Sequence, residues 1–314
     1  MRLTKLLAGG IATAALSLAL GAAAPASADT YALVTINSQA LFFNQINDGA
    51  KAAAKAAGAD LVIFDANNVP SAQNSAIETY VTQKVDGIIL VAIDVNGVKP
   101  AITEAKAAGI PVVAIDAQIP DGDNVSFIGV DNAAAGAEIG KFYADYVKAQ
   151  MGGEATVGVV GALNSFIQNQ RLDGFKKAVT ESGVKVEFLD TVDGQNVQDV
   201  ALGAAENLMT ANPAMKTLYA TGEPALIGAV SAVESQGRQG DVKVFGWDLT
   251  AQAVKGIDEG WVAAVVQQDP AGEGKAAVEA LVKLKKGESV EPIINVPVTI
   301  VTKENVDQFR PMFK

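Results

Sequence analysis

The chain has 314 residues, a formal charge of −11, and neither cysteine nor histidine. That length suggests two domains with substantial cores. Zero Cys excludes disulfides, thiolate catalysis and Cys-ligated metals, and zero His excludes a Ser-His-Asp triad and the commonest general base. The acidic balance argues against nucleic acid, whose phosphates demand Lys and Arg.

Residues 1–28 read as a secretory signal peptide. Arg2 and Lys5 form a basic start, Leu6 to Leu20 is apolar or small, and Ala26-Ser27-Ala28 gives a small-x-small cleavage pattern. The mature chain is expected to begin at Asp29. A membrane anchor is the competing reading, but the apolar run falls short of the ~20 residues a spanning helix needs. Removing Arg2 and Lys5 with no acid takes the charge from −11 to −13.

Strands and helices then alternate. Tyr31–Ile36 is a strand and Phe42–Ala57 a helix, with Ile46, Ala50, Ala53, Ala54 and Ala57 on one face and Gly58 as its stop. Strand Leu61–Phe64, helix Ser71–Lys84, strand Gly87–Ile93, helix Lys99–Ala108 and strands Pro111–Ile115 and Ser126–Val130 follow. The runs LVIF, GIILVAI and PVVAI are continuously apolar, as parallel strands covered on both faces are. The rhythm restarts with helix Ala134–Ala149, strand Ala155–Val160, helix Phe166–Thr180, strand Val184–Leu189, helix Val197–Thr210 and strand Lys216–Ala220. Helix Pro224–Ser235, strand Val242–Gly246, helix Thr250–Ile257, strand Val262–Val266 and helix Gly272–Lys286 come next, with a last strand at Ile293–Val301. Two βαβ series predict an α/β fold of two doubly wound, Rossmann-like parallel-sheet lobes. AKAAG ends helices at Ala54–Gly58 and again at Ala105–Gly109. No spacer separates the halves, which points to a hinge of several thin crossings around a cleft.

Ligands of open α/β sheets bind beyond the carboxyl ends of the strands. The residues there are Asn37, Ser38, Gln39, Phe42 and Phe43, then Asp94, Asn96, Asp116 and Gln118. The second half adds Asn164, Ser165, Phe166, Gln168, Asn169, Arg171, Asn196, Glu223, Trp247, Asp248, Gln267 and Gln268. Carboxylates accept hydrogen bonds and amides do both; aromatic faces stack on sugar C–H faces. The set suits a neutral polyhydroxyl ligand, with the cleavage of one by paired carboxylates Asp116 and Asp248 as an alternative. Blander readings stand beside these. One of Phe42 and Phe43 packs in the core, Asp116 and Asp248 cap turns, Asn164 and Ser165 cap a helix, Trp247 is core, and Glu223-Pro224 starts a helix. No dinucleotide glycine fingerprint, Walker loop or nucleophile elbow stands where it would act. No cofactor and no metal are expected.

The residues resemble the periplasmic sugar-binding proteins of ABC importers, of the ribose-binding (type I) kind. The resemblance runs over Tyr31–Lys303, in ALVTINSQALFFNQINDGAK (Ala32–Lys51), GIPVVAIDAQ (Gly109–Gln118), IGVDNAAAG (Ile128–Gly136), RLDGF (Arg171–Phe175), ENLMTANPA (Glu206–Ala214), VFGWDLT (Val244–Thr250) and AAVVQQDP (Ala263–Pro270). It implies two α/β lobes with crossings near Val130–Asp131, Gln268–Asp269 and Val298–Thr299. The lobes are then 29–130 plus 269–298, and 131–268 plus 299–314. It implies stacking by Phe42 and Phe43, and hydroxyl recognition by Asp116, Asp248 and Gln268. Asn37, Gln39, Asn164, Asn169, Asn196 and Glu223 complete the expected ligand set. Departures accompany these matches. Ala117 and Asn169 stand where the family usually carries Arg, Gly222 where it carries Asn, Asn196 where it carries an aromatic, and Ala40 where it carries Asn. The implied protein is a monomer in the periplasm that captures a monosaccharide or sugar alcohol and hands it to an ABC permease in the inner membrane. A sensory or chemotaxis receptor for a sugar-like ligand shares the pattern.

Overall fold

The computed structural model describes residues 28–38 and 41–313. The expected signal peptide (but for Ala28) and Gln39 lie outside the described residues. Among the described residues no helix is long and apolar enough to cross a membrane.

Two six-stranded sheets form two lobes. In the first, β1 (Thr30–Thr35), β2 (Asp60–Asp65), β3 (Gly87–Leu90), β4 (Val112–Ile115) and β5 (Ser126–Gly129) are joined through α1 (Leu41–Ala57), α2 (Pro70–Gln83) and α3 (Lys99–Ala107). In the second, β6 (Glu154–Gly161), β7 (Lys185–Asp193), β8 (Thr217–Ala220), β9 (Lys243–Trp247) and β10 (Val262–Gln267) alternate with α5 (Phe166–Glu181), α6 (Gln198–Ala211), α7 (Glu223–Ser235) and α8 (Ala251–Glu259). The helices α4 (Asn132–Gln150) and α9 (Pro270–Lys285) each follow a passage between the sheets. With β11 (Ile293–Asn295) and β12 (Thr299–Val301), the orders are β11-β5-β4-β3-β1-β2 and β12-β10-β9-β8-β6-β7. Each strand of one sheet thus has a counterpart in the other.

The continuous apolar runs behave as parallel strands buried on both faces. Ile88 and Leu90 pack with Ile77 and Ile102 on one side, while Ile89 packs with Leu33, Ile46 and Leu281 on the other. In the second lobe Leu218 and Val244 face α6 and α7, while Tyr219, Phe245 and Trp247 face Tyr143 and Phe175. The expected single strand Ile293–Val301 is two strands. β11 runs parallel to β5 in the first sheet, and β12 runs antiparallel to β10 in the second. One strand cannot serve two sheets, and Pro297 between them has no N–H to donate.

Close helix pairs brace each lobe. A Cβ on Gly274 of α9 would lie 2.1 Å from the Ile46 carbonyl oxygen of α1. A Cβ on Gly174 of α5 would lie 2.1 Å from that of Ala133 of α4. α4 and α9 are both capped by the last residue of the passage before them: Asp131 accepts from Ala134 N–H at 3.0 Å and Asp269 from Gly272 N–H at 2.8 Å.

Candidate functional site

The carboxyl ends of β4 and β9 put Asp116 and Asp248 at equivalent points of the two lobes. Both leave their strand in the left-handed region, at φ 61° and 62°. Asp and Asn tolerate this conformation better than other side-chain-bearing residues. The matching backbone bonds confirm the equivalence: Asp116 N–H donates to Ile128 at 3.0 Å and Asp248 N–H to Val266 at 2.8 Å. The sharp turn ends the strand and frees each carboxyl from the sheet.

A cavity of about 620 Å³ opens between the lobes. Asp116, Ala117 and Phe127 contribute from one side, Asn132, Ser165 and Phe166 from the other. Phe166, the first residue of α5, is 74% exposed. Of the expected ligand residues, Asp116 lines this cavity.

Asp248 sits in a network. Gln268 Nε2 donates to its Oδ1 at 2.6 Å, and Arg171 Nη1 lies 3.6 Å from its Oδ2. Arg171 is buried and multiply engaged. Its Nε donates to Asn132 Oδ1 at 2.8 Å, its Nη1 to the Thr221 carbonyl at 3.3 Å, and its guanidinium lies 3.9 Å over the Trp247 ring. Trp247 is core, as its blander reading had it, and donates to Tyr219 Oη at 2.8 Å.

The charges interact. Loss of solvation lifts the Asp116 carboxyl from 3.8 to about 6; Arg171 pulls it down and Asp248 pushes it up. Glu223 is raised by lost solvation and by Asp248. Burial pulls the Arg171 guanidinium below its ordinary value, with Asp248 and Asp116 opposing.

Phe42 and Phe43 meet edge to face, ring centroids 5.4 Å apart, and both pack partly against the core of the first lobe. Asn37 follows β1 and is half-buried. Asn164 is exposed, and the helix cap beside it is Ser165, which accepts from Gln168 N–H at 3.3 Å. Asn169 Nδ2 donates to the Leu163 carbonyl at 3.0 Å, so half of its amide holds its own loop. Exposed Asn196 accepts from Gln168 Nε2 at 2.8 Å. Gln168 also accepts from Thr221 Oγ1 at 2.6 Å.

The chain matches the periplasmic binding protein domain over residues 31–289. It belongs to the periplasmic binding protein family. This binding protein is 30% identical over 298 residues to the ribose import binding protein of Escherichia coli (strain K12), covering 94% of this chain and 98% of that one. It is 28% identical to the xylitol-binding protein of Mycolicibacterium smegmatis, over 95% of this chain and 86% of that one. Its fold matches a sugar-binding protein of a sugar ABC transporter from Bacillus halodurans with TM-score 0.82 and 25% identity, covering 90% of this chain and 100% of that one. The family is one of solute-binding proteins of sugar importers.

The expected ligand set leaves out Arg171, Gln168, Thr221, Asn132, Phe166 and Glu273. Arg171 and Gln168 stand among the polar residues after β6, but nothing in the spacing shows that Arg171 would be buried beside Asp248. Glu273 is legible after the fact: with Ala277, Ala280 and Leu281 it follows the i, i+4, i+7, i+8 stripe that α9 buries.

Proposed function

We propose that this protein captures one monosaccharide or sugar alcohol between its lobes and delivers it to an ABC importer. The observation that carries this is the pair Asp116 and Asp248, presented by the same left-handed turn at the carboxyl ends of matching strands, one in each lobe. A hydroxylated ligand that bonds to both carboxyls touches both lobes. It therefore favours the closed arrangement by differential contact.

Stacking on Phe42 and Phe43 supplies apolar burial, and Asn37, Gln39, Asn164, Asn169, Asn196, Glu223 and Gln268 supply selectivity by hydrogen bonds. The lobes move as 29–130 plus 269–298 against 131–268 plus 299–314. The passages at Val130–Asp131, Gln268–Asp269 and Val298–Thr299 act as the hinge. The protein is exported, cleaved after Ala28, and works as a periplasmic monomer that docks on an inner-membrane permease. It performs no catalysis: its carboxyls accept hydroxyl hydrogen bonds and leave the ligand intact. Relatives named for ribose, allose and xylitol support a ligand of this size and chemistry.

A thermal-shift screen over pentoses, hexoses and polyols tests the reading. A ligand at 100 times its dissociation constant adds about 2.7 kcal/mol of apparent stability. No shift with any of them at 10-millimolar order (roughly 100 times a weak dissociation constant) contradicts it.

A further inference from the structure

The cleft holds more acid than its own cations answer. Asp116 lines the cavity, Asp248 of the second lobe acts on its charge and on that of Glu223, and Glu273 in the first turn of α9 interacts with both Asp116 and Asp248. Arg171 is the cation that acts on Asp116 and Glu273, and it is already engaged by Asp248, Asn132 and Thr221. Ala117 and Asn169 bring no charge. Asp248 is answered by Arg171 and Gln268. Among the described residues no side chain donates a hydrogen bond to the Asp116 carboxyl.

Glu273 is a second, separate observation. It is 0% exposed, and neither carboxyl oxygen has a hydrogen-bond partner among the described residues. Burial raises its pKa well above 4.5, and Asp116, Asp269 and Asp248 raise it further against Arg171. A buried carboxyl in that company stays protonated or takes on an outside cation.

We infer that the cleft takes an amine-bearing ligand, an amino sugar or amino polyol, whose ammonium is received at Asp116. This rests on the reading of the cleft as a site for small hydroxylated ligands and adds the ligand's charge. An ammonium is three donors and no acceptor, which fits a cavity edge ending in an unbonded carboxyl. Burial, and after it the neighbouring carboxylates, keep Asp116, Glu223 and Glu273 raised, and an arriving ammonium opposes both. Binding therefore expels protons. Affinity for the amine rises from pH 5 to pH 7.5, by about tenfold from Asp116 alone. Affinity for a neutral ligand, which brings no charge to the carboxylate, rises less.

Calorimetric titration of the mature protein with matched probes tests this. Glucose is paired with glucosamine, galactose with galactosamine, and sorbitol with 1-amino-1-deoxysorbitol, at pH 5 and 7.5 and in two buffers of different ionisation enthalpy. In at least one pair the amine binds about tenfold tighter or more at pH 7.5, and its binding at pH 5 releases protons measurably. Asp116→Asn, which tolerates the same turn, removes that margin. Neutral members that bind as tightly as their amines at pH 7.5 in every pair that binds overturn the inference and leave the sugar or polyol reading standing. No binding by any probe overturns the inference, and the sugar or polyol reading falls with it only if the screen over pentoses, hexoses and polyols gives no shift either.

Discussion

The two lobes share their scaffold almost bond for bond and differ in what they hold up to the cleft. In the first, Asn44 Nδ2 donates to the carbonyl of Ser38, six residues earlier, at 2.7 Å; in the second, Asn169 does the same to Leu163 at 3.0 Å. Asp65 accepts from Ser38 N–H and Asp193 from Leu163 N–H. With Asn44 set against Asn169, the aromatic pair Phe42-Phe43 of α1 faces the positions of Ile167-Gln168 in α5. One lobe presents rings and the other amides. The buried charges differ as well. Arg171 beneath the second lobe's site has four partners, while Glu273 on α9 of the first has none among the described residues. What the lobes share makes the fold; what they do not share is where ligand preference is written.

The largest effect that sharpens this contrast is loss of the answered charge. Arg171→Met leaves Asp248 without its cation, and urea unfolding of the ligand-free protein shows a loss of about 3–5 kcal/mol. A loss under about 1 kcal/mol, the surface-pair range, would mean that the guanidinium is not part of the second lobe's frame.

Glu273 shows the opposite sign. Its carboxyl is raised in the folded protein, so its folded form holds a proton that the unfolded chain has released. Its contribution to stability therefore falls as pH rises above 4.5. Glu273→Met removes that burden and stabilises by about 1–4 kcal/mol at pH 8, with a smaller gain at pH 4.5. Unfolding midpoints across that range read the slope. A gain independent of pH would show that packing, not charge, separates the variants.

Gly274→Ala and Gly174→Ala test what the lobes share. Each places a methyl against backbone carbonyl at 2.1 Å, and each costs about 1–3 kcal/mol. Unequal costs break the equivalence of the two helix pairs. Smallest are Asn44→Ala and Asn169→Ala, each losing one hydrogen bond to a loop carbonyl, about 0.5–1.5 kcal/mol in thermal unfolding. If Asn169→Ala leaves stability untouched and lowers ligand affinity, its amide serves the ligand rather than the loop.

Much of the fold was legible because parallel strands and their helices write opposite periods. GIILVAI and PVVAI are apolar at every position because both faces of β3 and β4 are covered. Ile293–Val301 misled because nothing local marks which sheet a three-residue strand joins; only the partners β5 and β10 decide it. Within the site, Asp116 and Asp248 were visible as polar ends of apolar strands. The engagement of Asn169 by Leu163, and of Asn196 by Gln168, was not, since a side chain's partner depends on loop geometry that spacing does not encode. Glu273 was hidden among the ordinary charges of a helix whose other acid, Glu279, faces water.

A ligand held by both lobes must bridge them through Asp116 and Asp248. Calorimetric titration of the ligand identified by screening, into wild type and into Asp116→Ala and Asp248→Ala, tests it most directly. The wild type is expected to show a single site, and each variant an affinity at least about tenfold lower, the loss expected for a hydrogen bond to a charged group. Undiminished affinity in either variant would contradict a ligand held by both lobes.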